Sequence, residues 1–307
     1  MKKITITILI ILALSGFFII SLWYGSKLPK DINATEEKIF SIEKGQSFFQ
    51  IADNLEEEGL IKNSLYFKAY VLLEGHSRSL QAGEYFLSPS MSLPQIVQKI
   101  VSGDTASITV TIPEGFTVKQ IEERLGFDLP GENLEGFLFP DTYRFPLNIS
   151  GQEAVDRMKE NFDRKLTEEM KEEIEKQGKT IFEIVTMASL IEREVRTLED
   201  KKLVSGVLWK RLEIGMPLQV DATIVYITGK QTTRVSLQDL QIDSPYNTYK
   251  YRGLPVGPIC NPGLDSIIAA IYPEESQYWY YLSAPDGITH FSRNLQEHNI
   301  AKAKYLR

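Results

Sequence analysis

The stretch Ile181–Thr197, "IFEIVTMASLIEREVRT", decides how the second half of the chain folds. Apolar side chains recur along it at helical spacing. With Ile181 at zero and about 100° per residue, Val185, Ala188 and Glu192 fall at roughly 40°, 340° and 20°. Ile184, Ile191 and Val195 fill the adjoining arc, so Glu192 lies inside the apolar stripe. Glu183 and Glu194 fall on the opposite face and read as solvated. Ala188 and Ser189, one turn before Glu192, are small and leave room for something to approach. A carboxylate among apolar neighbours is disfavoured as an anion, and a retained proton is what a general acid needs near neutral pH. The alternative is an ion pair with Arg196, four residues on, which would make Glu192 structural.

The rest of the chain limits what such an acid can serve. At 307 residues and 43% apolar, a sizeable core in two domains is expected. A net charge of −7 argues against a nucleic-acid partner, which would need a basic face. Cys260 is the single cysteine, so no internal disulfide is possible. His76, His290 and His298 do not supply a metal cluster at ligand spacing, and a protein without cofactor or metal is expected.

After "MKK" comes an uncharged run, Ile4–Tyr24, "ITITILIILALSGFFIISLWY". As a helix it spans roughly the 30 Å of a hydrocarbon core, with Trp23 and Tyr24 at an interface position. A cleaved signal peptide would carry a shorter apolar run, about 7–15 residues. No A-x-A site follows, and "LALSG" has serine where a lipoprotein signal needs cysteine. Residues 1–3 are expected to be cytoplasmic and 4–24 a single membrane helix, with a polar stem over 25–37. The bulk of the chain then lies on the far side, although Lys27 and Lys30 weaken the charge asymmetry that orients it.

From Ile39 to Gly103 a strand, a turn at Gly45, two helices, a strand and a further helix headed by Ser92 and Pro94 follow in order. "ASITVTIPEG" alternates like a strand. The aromatic segment Glu132–Phe145, "ENLEGFLFPDTYRF", reads either as packing or as a wall for a sugar. Gln152–Gln177 reads as one charged helix with Val155, Met158, Phe162, Leu166, Met170 and Ile174 along one stripe. Beyond "DKKLVSGVLWKRLEIG", a helix closing at Gly215, Pro- and Gly-punctuated loops separate short elements.

"ASLIEREV", "GMPLQVDATIVY", "SPYNTYKYRGLPVGPICNPG" and "HFSRNLQEHN", in this order, resemble the YceG-like family of endolytic murein transglycosylases. The resemblance runs from about Glu135 to the C-terminus, and the preceding module resembles a LysM-like domain. It implies an α+β chain: a single N-terminal transmembrane helix, a small LysM-like α/β module over 38–110 and a larger mixed α/β catalytic domain over 111–307. It implies a lyase-type cut in the glycan strand of peptidoglycan between N-acetylmuramic acid and N-acetylglucosamine. The muramic hydroxymethyl oxygen, not water, is expected to attack the anomeric carbon and leave an anhydro-muramic end. Glu192 falls on the family's catalytic glutamate. One acid suffices for such a reaction because the nucleophile is tethered to the substrate, whereas ordinary glycosidases need two carboxyls.

The resemblance also nominates substrate-binding residues. Gln219 and Asp221 can hydrogen-bond sugar hydroxyls or N-acetyl groups, or Asp221 can cap the next segment. Tyr246, Asn247, Thr248 and Tyr249 combine aromatic faces with polar groups, as a glycan groove does, although core packing also accounts for the tyrosines. Glu135 either lines the cleft or caps a helix. Val220, Ala222 and Val256 depart from the family pattern, which favours Ser or Thr before the aspartate, proline after it, and "GLPPGPI". Peptidoglycan synthases are the candidate protein partners. The competing functions are a non-catalytic glycan-binding scaffold and a hydrolytic muramidase. A serine peptidase is disfavoured: Ser41–Lys44 matches S-x-x-K, but no companion motif follows and no G-x-S-x-G occurs.

Overall fold

The computed structural model describes residues 13, 14, 16, 17, 24, 25, 28–230 and 235–306. The expected cytoplasmic tip, and most of the expected membrane helix over 4–24, lie outside them. Among the described residues no helix is long and apolar enough to cross a membrane. The chain divides into one unit of Met1–Ile108 with Arg144–Ile149 and another of Thr109–Tyr143 with Ser150–Arg307.

In the first unit β1 (Lys38–Ile42) runs antiparallel to β2 (Gly83–Leu87), with Phe40 opposite Tyr85. Strand alternation sends Phe40, Ile42, Tyr85 and Leu87 inward, where all are buried. Between the strands lie α1 (Phe48–Glu57), opened by a Ser47–Gln50 capping box, and α2 (Ser64–Leu73), capped by Asn63. After β2, α3 (Leu93–Ser102) begins with Pro94 in its first turn and ends at Gly103, whose φ of 69° favours glycine. Ile51, Leu55, Phe67, Val71, Ile96 and Ile100 complete this core against the strands. β3 (Ser107–Thr111) and β4 (Thr142–Pro146) form a second two-stranded sheet.

The second unit is mostly helical. It contains α4 (Val118–Leu125), α5 (Gly151–Lys165), α6 (Glu168–Lys176), α7 (Ile181–Glu192), α8 (Leu198–Glu213), α9 (Asp221–Thr228) and α10 (Leu264–Ile271). A hairpin of β5 (Tyr280–Ser283) and β6 (Thr289–Ser292) follows, with α11 (Leu295–Tyr305) against it. The charged stretch expected as one helix is two. The chain leaves the helix at Leu166 (ψ 89°), and Thr167 caps a new one by accepting from the Met170 N–H. The apolar stripe survives the break, since Val155, Met158, Phe162, Leu166 and Ile174 are all buried. In the aromatic segment Leu138, Phe139 and Phe145 are buried, and Phe137 packs on the core, so these side chains serve packing.

Helix α7 is the axis of this unit. Every residue from Ile184 to Ile191 is buried, because α6, α8 and α10 all pack on it. Past its first turn, where Phe182 is exposed, the helix has no solvated face. Its last helical residue is Glu192.

Candidate active site

Glu192 closes α7 where two other elements begin. Thr197 caps α8 by accepting from the Asp200 N–H at 3.2 Å, and this places Lys201 in the first turn, facing the end of α7. Lys201 Nζ donates to Glu192 Oε2 at 3.2 Å. Gly263, the residue preceding α10, donates its N–H to the same oxygen at 3.1 Å, and Ser266 Oγ donates at 2.6 Å. The Glu192 and Lys201 side chains are only 10% and 4% exposed. The apolar setting read for Glu192 is therefore corrected. Its carboxyl is buried, but an ammonium and two neutral donors converge on Oε2, and Oε1 receives none of the three. The alternative pairing is corrected as well: Arg196 is exposed, and the ion pair is with Lys201. A buried pair is costly to break on one side, because the remaining charge is stranded.

A loop at Glu114 and Gly115 forms the adjoining wall. Gly115 N–H donates to Asn261 O at 2.9 Å, and Asn261 N–H donates to Phe116 O at 2.8 Å. Arg193 Nη1 donates to Gly115 O at 3.3 Å. A Cβ on Gly115 would lie 3.5 Å from Glu192 Cγ, and one on Gly263 would lie 2.0 Å from Glu114 Oε1. Any side chain at 263 would displace the Glu114 carboxyl from its place against the Cα. Desolvation, then the neighbouring Glu192 charge, push the Glu114 carboxyl above its ordinary range, and Lys201 opposes them.

The room that Ala188 and Ser189 leave is filled by the chain itself. Ile259 N–H donates to Ser189 Oγ at 3.0 Å, and the buried Cys260 thiol donates to Ser189 O at 3.4 Å. Beside this segment opens a cleft of about 430 Å³, lined by Thr117, Gln120, Glu135, Arg193, Tyr226 and Ile259 among others. Glu192 is not in its lining; the adjacent Arg193 is. Glu135 lies between this cleft and the start of α4. It accepts from the first N–H of α4, Val118, at 3.1 Å, and it faces the cleft. Burial pushes it up to about 7 against the hydrogen bonds from Val118 and Tyr226, and Asn261 Nδ2 also donates to it at 3.1 Å.

The remaining nominated residues separate into exposed and inward-facing ones. Gln219 is exposed in a left-handed conformation (φ 56°), which costs a non-glycine residue roughly 1–2 kcal/mol. Asp221 is exposed in the first turn of α9; it makes no side-chain cap and accepts instead from the Tyr249 hydroxyl. Tyr246 is half-buried, its ring 5.0 Å from that of Tyr226. Asn247 and Thr248 are buried, and their reading as sugar ligands is corrected. Asn247 Nδ2 donates to Leu240 O at 3.0 Å and Ile242 O at 2.8 Å, while Oδ1 accepts from the Tyr249 and Lys250 N–H groups. Thr248 Oγ1 accepts from Val220 N–H at 3.0 Å. Both side chains brace loops.

The sequence nominated none of Glu114, Lys201, Gly263 and Ser266, and it misplaced Glu194. Lys201 stands in line with Val204, Ser205 and Leu208, all buried on α8; a lysine on an apolar stripe was the available signal. Glu194 was placed on a solvated face by extending the helix past its end. In fact α7 stops at Glu192, and burial pushes Glu194 up to about 7, with the Tyr281 hydroxyl and the Ala222 N–H as its relieving donors. A proline at 222 would lack that N–H.

The comparisons with known proteins bear on this geometry. A sequence profile of the YceG-like family matches residues 40–304. The endolytic murein transglycosylase of Bacillus subtilis (strain 168) is 34% identical over 92% of this chain and 89% of its own length. That of Streptococcus pneumoniae (serotype 2, strain D39) is 30% identical over 99% of this chain, which spans 65% of the longer pneumococcal protein. A crystal structure of a YceG-like protein from Listeria monocytogenes superposes with a TM-score of 0.59 at 34% identity, covering 87% of this chain and 99% of that one. With the profile spanning nearly all of the sequence, this chain belongs to the YceG-like family.

Proposed function

We propose that the protein is an endolytic lytic transglycosylase that cuts glycan strands of peptidoglycan between N-acetylmuramic acid and N-acetylglucosamine. The observation that carries this reading is the asymmetric hold on Glu192: three donors on Oε2 leave Oε1 as the oxygen that meets substrate. Oε1 delivers a proton to the leaving N-acetylglucosamine oxygen as the anomeric C–O bond breaks. The muramic hydroxymethyl oxygen then bonds to the anomeric carbon, and its proton returns to Oε1. Atoms balance without water, and one acid serves both steps. Relatives named endolytic murein transglycosylase support the reaction.

The cleft with Glu135 and Tyr226 receives the strand, with Gln219, Asp221, Tyr246 and Tyr249 as further contacts. The β1-α1-α2-β2 order of the first unit is compatible with a LysM-like module that binds or braces. Residues 4–24 anchor the chain in the cell membrane with the N-terminus cytoplasmic. The short stem keeps the site near newly made strands, where cutting terminates elongation, and synthases are the expected protein partners.

The test is wild type against Glu192→Gln on uncrosslinked glycan strands, with mass spectrometry of the ends. Anhydro-muramic ends that vanish in the variant support the proposal. Reducing ends from the wild type would make it a muramidase, and no cleavage with retained glycan binding would make it a scaffold.

A further inference from the structure

Glu192 does not act as an isolated acid. We propose that Glu114 and Lys201 are positioning residues that set its proton from opposite sides. Glu114 is an exposed carboxyl that favours a proton on Glu192, and Lys201 is a buried ammonium that favours its absence. This inference rests on the transglycosylase reading.

The geometry supplies the argument. Lys201 reaches Glu192 Oε2 directly. Glu114 lies against the Cα of Gly263, whose own N–H is bound to Glu192 Oε2. Both carboxyls thus lie against Gly263, and Gly115 packs on the Glu192 stem. The charged groups facing this cluster are Lys201 from α8, Asp265 from α10 and Arg193 after α7. A general acid that is to start protonated beside a buried ammonium needs an opposing negative charge, and Glu114 is placed to provide it. Interacting like charges share protons unequally. The solvent-facing member is the one that can exchange its proton with water.

The experiment is the pH dependence of kcat/KM for anhydro-end formation by the full chain on uncrosslinked glycan strands. Wild type, Glu114→Gln and Lys201→Met are compared, with thermal melts of all three. The alkaline limb reports loss of the acid's proton. Glu114→Gln removes a negative charge and is expected to move that limb to lower pH by about half to one unit. Lys201→Met removes a positive charge and is expected to move it to higher pH.

A purely structural role lowers activity without moving the limb. An unmoved limb in Glu114→Gln, or shifts of the same sign in both variants, overturns the proposal. Should Lys201→Met fail to fold, the exposed Glu114→Gln variant decides alone. If the wild type yields no anhydro ends, the transglycosylase reading fails instead, which separates the two failures.

Discussion

The loop leading into α10 and the loop at Ser244–Tyr251 look alike in the sequence but do opposite work. Both carry Pro and Asn, the first among glycines and the second among tyrosines. Around α10, Gly263 and Ser266 turn their donors outward onto another element's carboxyl. In the other loop Asn247 donates to backbone carbonyls and Thr248 accepts from a backbone N–H, so the polar groups hold the loop itself. The difference teaches that a polar motif residue becomes site or scaffold according to where its neighbours' unpaired backbone groups fall.

The largest test of that contrast is Glu192→Gln. An amide cannot deliver the proton, so formation of anhydro ends is expected to fall by about 10³-fold, with a lowered melt because Lys201 loses its buried partner charge; Glu135→Gln should cost less than about tenfold. Next, Asn247→Ala is expected to lower stability by about 2–4 kcal/mol in urea denaturation, because it strands buried backbone groups. A shift within about 0.5 kcal/mol would return Asn247 to the list of sugar ligands.

A third effect concerns the two acids whose burial outweighs their donors. Glu135 and Glu194 are raised from 4.5 to about 7 by burial, so the folded state holds their protons more tightly than the unfolded chain does. Their contribution is fully present below the unfolded value and is lost as pH rises through about 7. Stability should fall between pH 5 and 8, by at most about 2–3 kcal/mol per group. Denaturation at the two pH values checks this, and Glu135→Gln or Glu194→Gln should each flatten the slope. The smallest effect is Tyr249→Phe. Its hydroxyl meets an exposed Asp221, so a loss of about 0.5–1 kcal/mol is expected, read from a double-mutant cycle with Asp221→Ala.

Much of this was legible before any coordinates. The elements of the first unit follow from alternation, caps and punctuation around Gly45, Ser92 and Gly103, all local signals. The choice of Glu192 followed from an acid inside an apolar stripe. The break at Leu166 was not legible because the stripe continues through it. Glu194 was misplaced because a helical projection does not know where the helix stops.

The sequence by itself determined most of the helices and strands, though not where two of the helices end, and which acid is out of place, since these depend on periodicity and on residues within a turn of one another. It determined the family too, through ordered motifs. Only the tertiary structure decided what surrounds that acid. Lys201, Gly263 and Ser266 lie up to 74 residues from Glu192, and a hydrogen bond is a matter of a few ångströms in space, which chain separation does not encode.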